Sequence, residues 1–126
     1  MKIVTIIARL LLGLAFTVFG LNFFLNFIPQ PPPPPGIAGD FVRVFAASHF
    51  LYAVGAMQLL CGLLLLIGRY VPLALTILAA VIYNILAFHI LVSPGLSEMM
   101  PAIIVTALWA FLAWRYRDRF AGILRP

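Results

Sequence analysis

GAMQLLCGLLLLIGRYVPLALTILAAVIYNILAFHILV, Gly55 to Val92, is the stretch that decides the fold. Two apolar runs flank a short charged joint, Gly68-Arg69-Tyr70-Val71-Pro72. Exposed to water, so large an apolar surface would aggregate. In a bilayer, where each backbone group must be satisfied inside its own segment, the same stretch reads as a helical hairpin. The joint is too short for anything but antiparallel neighbours. Pro72 suits the first turn of the second arm, where its missing N–H is not needed. The polar residues of the hairpin are few: Gln58 on the first arm, Asn84 and His89 on the second.

Composition agrees. Hydrophobic residues make up 65% of the 126-residue chain and charged residues 9%, against about 45–50% and about 25% in soluble domains. The length suits one domain, residues 1–126. The formal net charge is +5, but the basic residues gather at the chain ends and in the 68–72 turn rather than on a soluble face. They therefore report membrane topology, not nucleic acid. Cys61 is the only cysteine, so neither an intrachain disulfide nor a CxxC dithiol centre is available.

Upstream, a first span is expected from about residue 3 to 27. It is too long for the roughly 7–15-residue apolar core of a signal peptide. At 1.5 Å per residue it reaches about 37 Å, enough to cross a hydrocarbon core of about 30 Å. Gly13 and Gly20 fall on one side of it, as Gly55 and Gly62 do on the next span. Small residues at this spacing let helices approach closely. Residues 29–36, PQPPPPPG, cannot be helical and read as a polyproline II spacer. Asp40 is the expected N-cap of a second span over 41–67, whose first turns, with Arg43, Ser48 and His49, project into the interface. The third span covers 71–92. Ser97 caps a fourth over 98–116, where Trp109, Trp114 and Tyr116 mark the approach to the interface. The fold class is thus an all-α membrane protein, a four-transmembrane-helix antiparallel bundle. Lys2, Arg69, Arg115, Arg117, Arg119 and Arg125 fall on one side and only Arg43 on the other, so both termini are expected to be cytoplasmic.

Counted from the 68–72 turn, Gln58 and Asn84 lie about 15–18 Å into the membrane. This predicts an amide pair near the bilayer middle, either interhelical glue or part of a site. Asn22, Asn26, His49 and His89 form an outer polar layer. It can hold a quinone headgroup, or a metal or haem through the two histidines, or simply hydrogen-bond carbonyls and water. Arg9 either snorkels to headgroups or reaches inward towards a ligand. Asp40, Glu98 and Asp118 are the only acids and lie outside the spans, which disfavours proton-driven transport. No phosphate loop, catalytic triad or metal-ligand spacing occurs, so no metal site is assigned.

The segments ARLLLGLAFTVFGLNFF (Ala8 to Phe24), PQPPPPPG (Pro29 to Gly36) and QLLCGLLLLIGRYVPLALTILAAVIYNILAFH (Gln58 to His89) resemble the DoxX-like family of small bacterial four-span membrane proteins. The resemblance implies an inner-membrane bundle with Arg9, Gly13, Gly20, Asn22, Gly62, Gly68, Pro72, Asn84 and His89 at signature positions. Similarity to the family also implies association with quinone-linked redox or detoxification systems. The chain departs from the family pattern at Gln58, where relatives usually carry glutamate. The expected function is a non-catalytic or accessory membrane subunit of a redox/quinone-linked or stress-related system; a standalone quinone-linked enzyme is the least supported reading, because no cofactor motif is present. Its ligand-binding residues would be drawn from Arg9, Asn22, His49, Gln58, Asn84 and His89, with quinone as the cofactor considered. Expected partners are the lipid bilayer and a redox partner protein or further copies of the chain. The alternative is a small-molecule or lipid transporter or channel working as a homo-oligomer.

Overall fold

A computed structural model describes residues 2–28, 32–92 and 96–124, and the described residues are helical apart from short connections. The order is α1 (Lys2–Leu25), α2 (Ile37–Ala47), α3 (Phe50–Ile67), α4 (Val71–Ala87), a π-helical turn (Phe88–Val92), α5 (Leu96–Arg115) and α6 (Arg117–Leu124). Helices α1 and α3, and α4 with its π turn, are each long and apolar enough to cross a membrane. Helices α5 and α6 meet the same test as a pair bent by 78°. Packing contacts run α1 to α3, α3 to α4, α4 to α5 and α5 back to α1. That closes the expected four-membered bundle.

The tightest seam joins α1 to α3 rather than the two arms of the hairpin. A Cβ placed on Gly20 would stand 2.6 Å from the Leu59 nitrogen and 2.8 Å from the Gly55 oxygen. One on Gly62 would stand 2.5 Å from both the backbone nitrogen and the hydroxyl of Thr17. Gly13 faces Gly62, and Gly20 faces Gly55. The residue numbers of both pairs add to the same total, the mark of antiparallel pairing in register. Absence of side chains lets the backbones touch, which is how apolar helices gain dispersion energy in lipid.

The core fills one end of the bundle. Leu12, Phe16, Cys61, Leu65, Leu75, Leu78 and Leu112 are all fully buried. They come from all four members of the ring, on the side of the 68–70 turn. Trp109 Nε1 donates to the Leu75 oxygen at 2.8 Å and ties α5 to α4. Arg115 Nε donates to Thr5 Oγ1 at 3.0 Å and ties the end of α5 to the start of α1. Outward-facing residues such as Ile3, Leu14, Leu63, Leu73 and Tyr83 are exposed and apolar, as a lipid-facing surface requires.

Four local expectations need correction. The span expected over 41–67 is two helices, because Ser48 adopts an extended conformation (φ −93°, ψ 157°) between α2 and α3. Its hydroxyl donates to the Phe45 oxygen, offering the backbone an alternative to continuing the helix. Asp40 is not an N-cap: α2 begins earlier, with Gly36 at the cap at a positive φ (φ 83°, ψ −156°). Asp40 instead sits in the first turn, 3.6 Å from the Arg43 guanidinium. Ser97 falls inside α5, which begins at Leu96, so it is not the residue preceding the helix. The fourth span does not simply end at Tyr116, since the chain turns there and continues as α6. Of the proline loop, residues 29–31 lie outside the described residues, as do residues 93–95, where the loop between the third and fourth spans was expected.

The glycine seam makes a direct prediction. Gly62→Ala should destabilise the protein by about 1–3 kcal/mol through overpacking. Gly122→Ala, whose added Cβ meets nothing within 4 Å, should leave stability unchanged or slightly higher. Thermal unfolding of both variants in one detergent checks this; equal midpoints would contradict it.

Candidate functional site

The other end of the bundle is hollow. A cavity of about 580 Å³ lies between α3 and α4, reaching Phe23 of α1 and roofed by α2. Its walls are apolar and largely aromatic, and Gln58, Asn84 and His89 are its polar side chains. The roof is held by ring contacts: Phe41 on Phe88 at 5.2 Å between centroids, and Phe45 on Phe23 at 6.1 Å and on Phe50 at 5.8 Å. Large, exposed wall residues such as Phe50, Met57 and Leu91 show that the cavity opens sideways, on the lipid-facing flank.

Each polar group is placed by local backbone geometry. Gln58 is buried, 5% exposed, and its Oε1 has no hydrogen-bond partner among the described residues. Asn84 lies on the exposed side of α4, where its Nδ2 donates to the Ala80 oxygen at 2.9 Å. The expected amide pair is therefore not formed: no bond joins Gln58 to Asn84 among the described residues. The reason is that Asn84 finds an acceptor on its own helix. His89 stands on the π turn, with Nδ1 2.8 Å from the Ile85 oxygen. Its ring meets Phe88 edge-on, 5.5 Å between centroids. The π turn shifts the backbone register at the end of α4, a device common at functional sites. Nothing in the apolar sequence FHILV announces it.

The remaining sequence-derived candidates are not among the cavity's lining residues. Asn22 is 6% exposed, and its Oδ1 accepts from the Ile28 N–H at 2.8 Å. It closes the end of α1, where Asn26 takes a left-handed conformation (φ 50°). Arg9 lies at the opposite end: a Cβ on Gly68 would collide with its guanidinium. Gly68 is the left-handed C-cap of α3 (φ 81°), so the positive charge sits beside a helix C-terminus, where the helix dipole favours it. His49 is exposed at the N-cap of α3 and stacks on Tyr52, 6.0 Å between centroids. The outer layer of Asn22, Asn26, His49 and His89 thus resolves into one pocket residue and three residues at helix ends.

A second hollow of about 540 Å³ runs along α2. Its polar residues already have partners, Asp40 in Arg43 and Ser48 in the Phe45 oxygen. Of these two hollows, only the cavity beneath α2 has a lining side chain with a buried polar atom lacking a partner among the described residues.

The DoxX family model matches residues 4–91, which include every residue lining this cavity except Val92. Comparison with curated proteins, and with solved structures, finds no match to this chain.

The placement of Asn22 predicts a structural phenotype. Asn22→Ala should lower stability by about 0.5–1.5 kcal/mol by removing the hydrogen bond from the part-buried Ile28 N–H that closes the end of α1. It should leave the occupancy of the cavity unchanged. Thermal unfolding and mass spectrometry of copurified small molecules on the same preparation separate the two effects.

Proposed function

The chain belongs to the DoxX family, and from that premise we propose that it is a ligand-binding accessory subunit of a quinone-linked or stress-related redox system in the bacterial inner membrane. In this reading it is not itself the catalyst. It takes a neutral, largely apolar organic molecule from the bilayer through the side opening, holds it beneath α2, and presents it to a redox partner protein.

The cavity carries this reading. A hollow of about 580 Å³ with aromatic walls and a few convergent polar groups is what a small-molecule site looks like. Its contents match a molecule with a polar head and an apolar body: Gln58, Asn84 and His89 for the head, Phe23, Phe45 and Phe88 for the rest. No acid falls within α1, α3 or α4 with its π turn, so no carboxylate in the spans around the cavity favours a cation or couples proton movement. Both termini and the 68–70 turn are proposed to face the cytoplasm, on the strength of the basic residues gathered there. The cavity would then lie in the outer half of the membrane.

Protein purified in mild detergent, extracted and analysed by mass spectrometry and absorbance, tests the proposal. A quinone-class molecule is expected to copurify. Gln58→Leu and His89→Ala should each reduce its occupancy about tenfold or more, while Arg9→Ala, Asn22→Ala and His49→Ala retain it. An empty cavity, with the pocket variants altered only in stability, would rule the reading out. Flux of a solute through liposomes containing the purified protein would instead support a homo-oligomeric channel or transporter.

A further inference from the structure

Helices α5 and α6 lie beyond the segment that the family model matches, and the joint between them has a character of its own. The chain bends there by 78°. With α5 crossing the bilayer, α6 runs close to the membrane plane. Tyr116 and Phe120 pack against the core and fasten the joint to the end of the bundle that carries the 68–70 turn. On α6, Arg119 and Ile123 stand one turn apart on one flank, and both are exposed. A cationic head beside an apolar side chain suits a helix lying at the boundary of headgroups and acyl chains.

Two guanidinium groups converge on the exposed indole of Trp114 at this joint. Arg117 lies 4.8 Å from the ring centroid and Arg115 5.9 Å from it. Arg117 Nη1 also donates to the Trp114 oxygen at 2.9 Å, a carbonyl of the last turn of α5. Arg115 is held by its Nε on Thr5 Oγ1. Thr5 is one turn from Arg9 on α1, whose guanidinium sits against Gly68 and adds to the positive charge of this end. Like charges gathered in this way call for an anion, and the chain does not provide one. Among the described residues the one ion pair joins Arg43 to Asp40, so none of Arg115, Arg117 and Arg119 is neutralised. Asp118, the acid of α6, adjoins Arg117 and Arg119 in sequence, and neighbours in a helix do not face each other. Each of the bonded arginines keeps further N–H donors in a fork that matches a phosphate.

We infer that the joint of α5 and α6 is a binding site for an anionic phospholipid, its phosphate held by Arg115, Arg117 and Arg119 and its acyl chains lying against Trp114 and Ile123. A lipid fits better than a soluble anion because the charges stand beside exposed apolar side chains at the end of a span. The site is independent of what the cavity holds.

Native mass spectrometry of the purified full-length protein in detergent tests this by comparing phosphatidylglycerol with phosphatidylcholine of the same acyl chains. The anionic lipid is expected to bind at least about tenfold more tightly. Arg117→Gln and Arg119→Gln should each lower its binding about fivefold, the factor one arginine near an anionic surface contributes, and leave phosphatidylcholine unchanged. Arg119 has no side-chain partner among the described residues, so its variant keeps the test open should loss of the Arg117 bond disturb the fold. Arg43→Gln, on α2 at the opposite end of the bundle, should change nothing. Equal binding of the two lipids to the unaltered protein would overturn the inference, as would arginine variants of the joint that bind like the unaltered protein. An equal loss with Arg43→Gln would overturn it too, because net charge rather than this joint would then set the preference. Displacement of the lipid by millimolar inorganic phosphate, with phosphate itself retained, would identify a free-anion site and overturn the lipid assignment.

Discussion

The backbone contact between α1 and α3 is the constraint on which the rest of the structure depends. It exists because Gly13 and Gly20 on one helix meet Gly62 and Gly55 on the other in antiparallel register. In lipid there is no hydrophobic effect to press helices together, so close contact must supply the attraction. Once α1 occupies the small-residue side of α3, the other partners are determined. Helix α4 follows through the short 68–70 turn. Helix α5 closes the ring against α1 and α4, fastened by Trp109 to Leu75 and by Arg115 to Thr5.

The two ends of the bundle then diverge for steric reasons. Near the turn, leucines from all four members and Phe16 of α1 meet and fill the interior. At the other end the chain of α2 and α3 is broken at Ser48-His49, and the end of α4 is wound as a π turn. Neither helix continues its straight packing surface there. Phenylalanines from α1, α2, α3 and the π turn meet at their edges instead of interlocking as the leucines do. The cavity is what remains. It is therefore a product of two local irregularities, and both lie beside its polar residues.

How much of this is legible in the sequence follows from the kind of signal each feature leaves. Spans are legible because about 20 apolar residues per helix is a strong, redundant signal. The small residues at Gly13, Gly20, Gly55 and Gly62 are legible as a spacing. Which helices they join depends on register, which composition does not report. The Ser48 break is poorly legible, since one serine and one histidine within an apolar run are as compatible with a continuous helix. The π turn leaves no trace, because it is a matter of backbone winding rather than residue type. Depth counting places Gln58, Asn84 and His89 on neighbouring helices, and these do share a cavity. The same counting brings Asn22 and His49 to the level of His89. It fails there because depth fixes height but not azimuth, and helix ends recruit polar side chains for their own unpaired backbone groups.

Gln58 is where packing and chemistry meet. It lies between Gly55 and Gly62, on the helix whose close contact with α1 organises the bundle, and its amide is buried as a consequence. Thr17, whose hydroxyl fills the space where a Gly62 side chain would stand, is likewise buried with its oxygen unpaired among the described residues. Elsewhere in the spans the fold satisfies its hydroxyls readily: Thr76 and Thr106 both donate to the carbonyl one turn back, at 2.8 and 2.7 Å. An unsatisfied polar atom inside a membrane protein therefore stands out against the chain's own habit. If glue were the whole role of Gln58, an apolar side chain of the same size would serve the seam better, with no desolvation to offset. With His89 the one titratable side chain lining the cavity, an uncharged amide at position 58 keeps hydrogen-bonding capacity without adding an ionisable group. Such a residue is better suited to discriminating among neutral molecules than to moving protons.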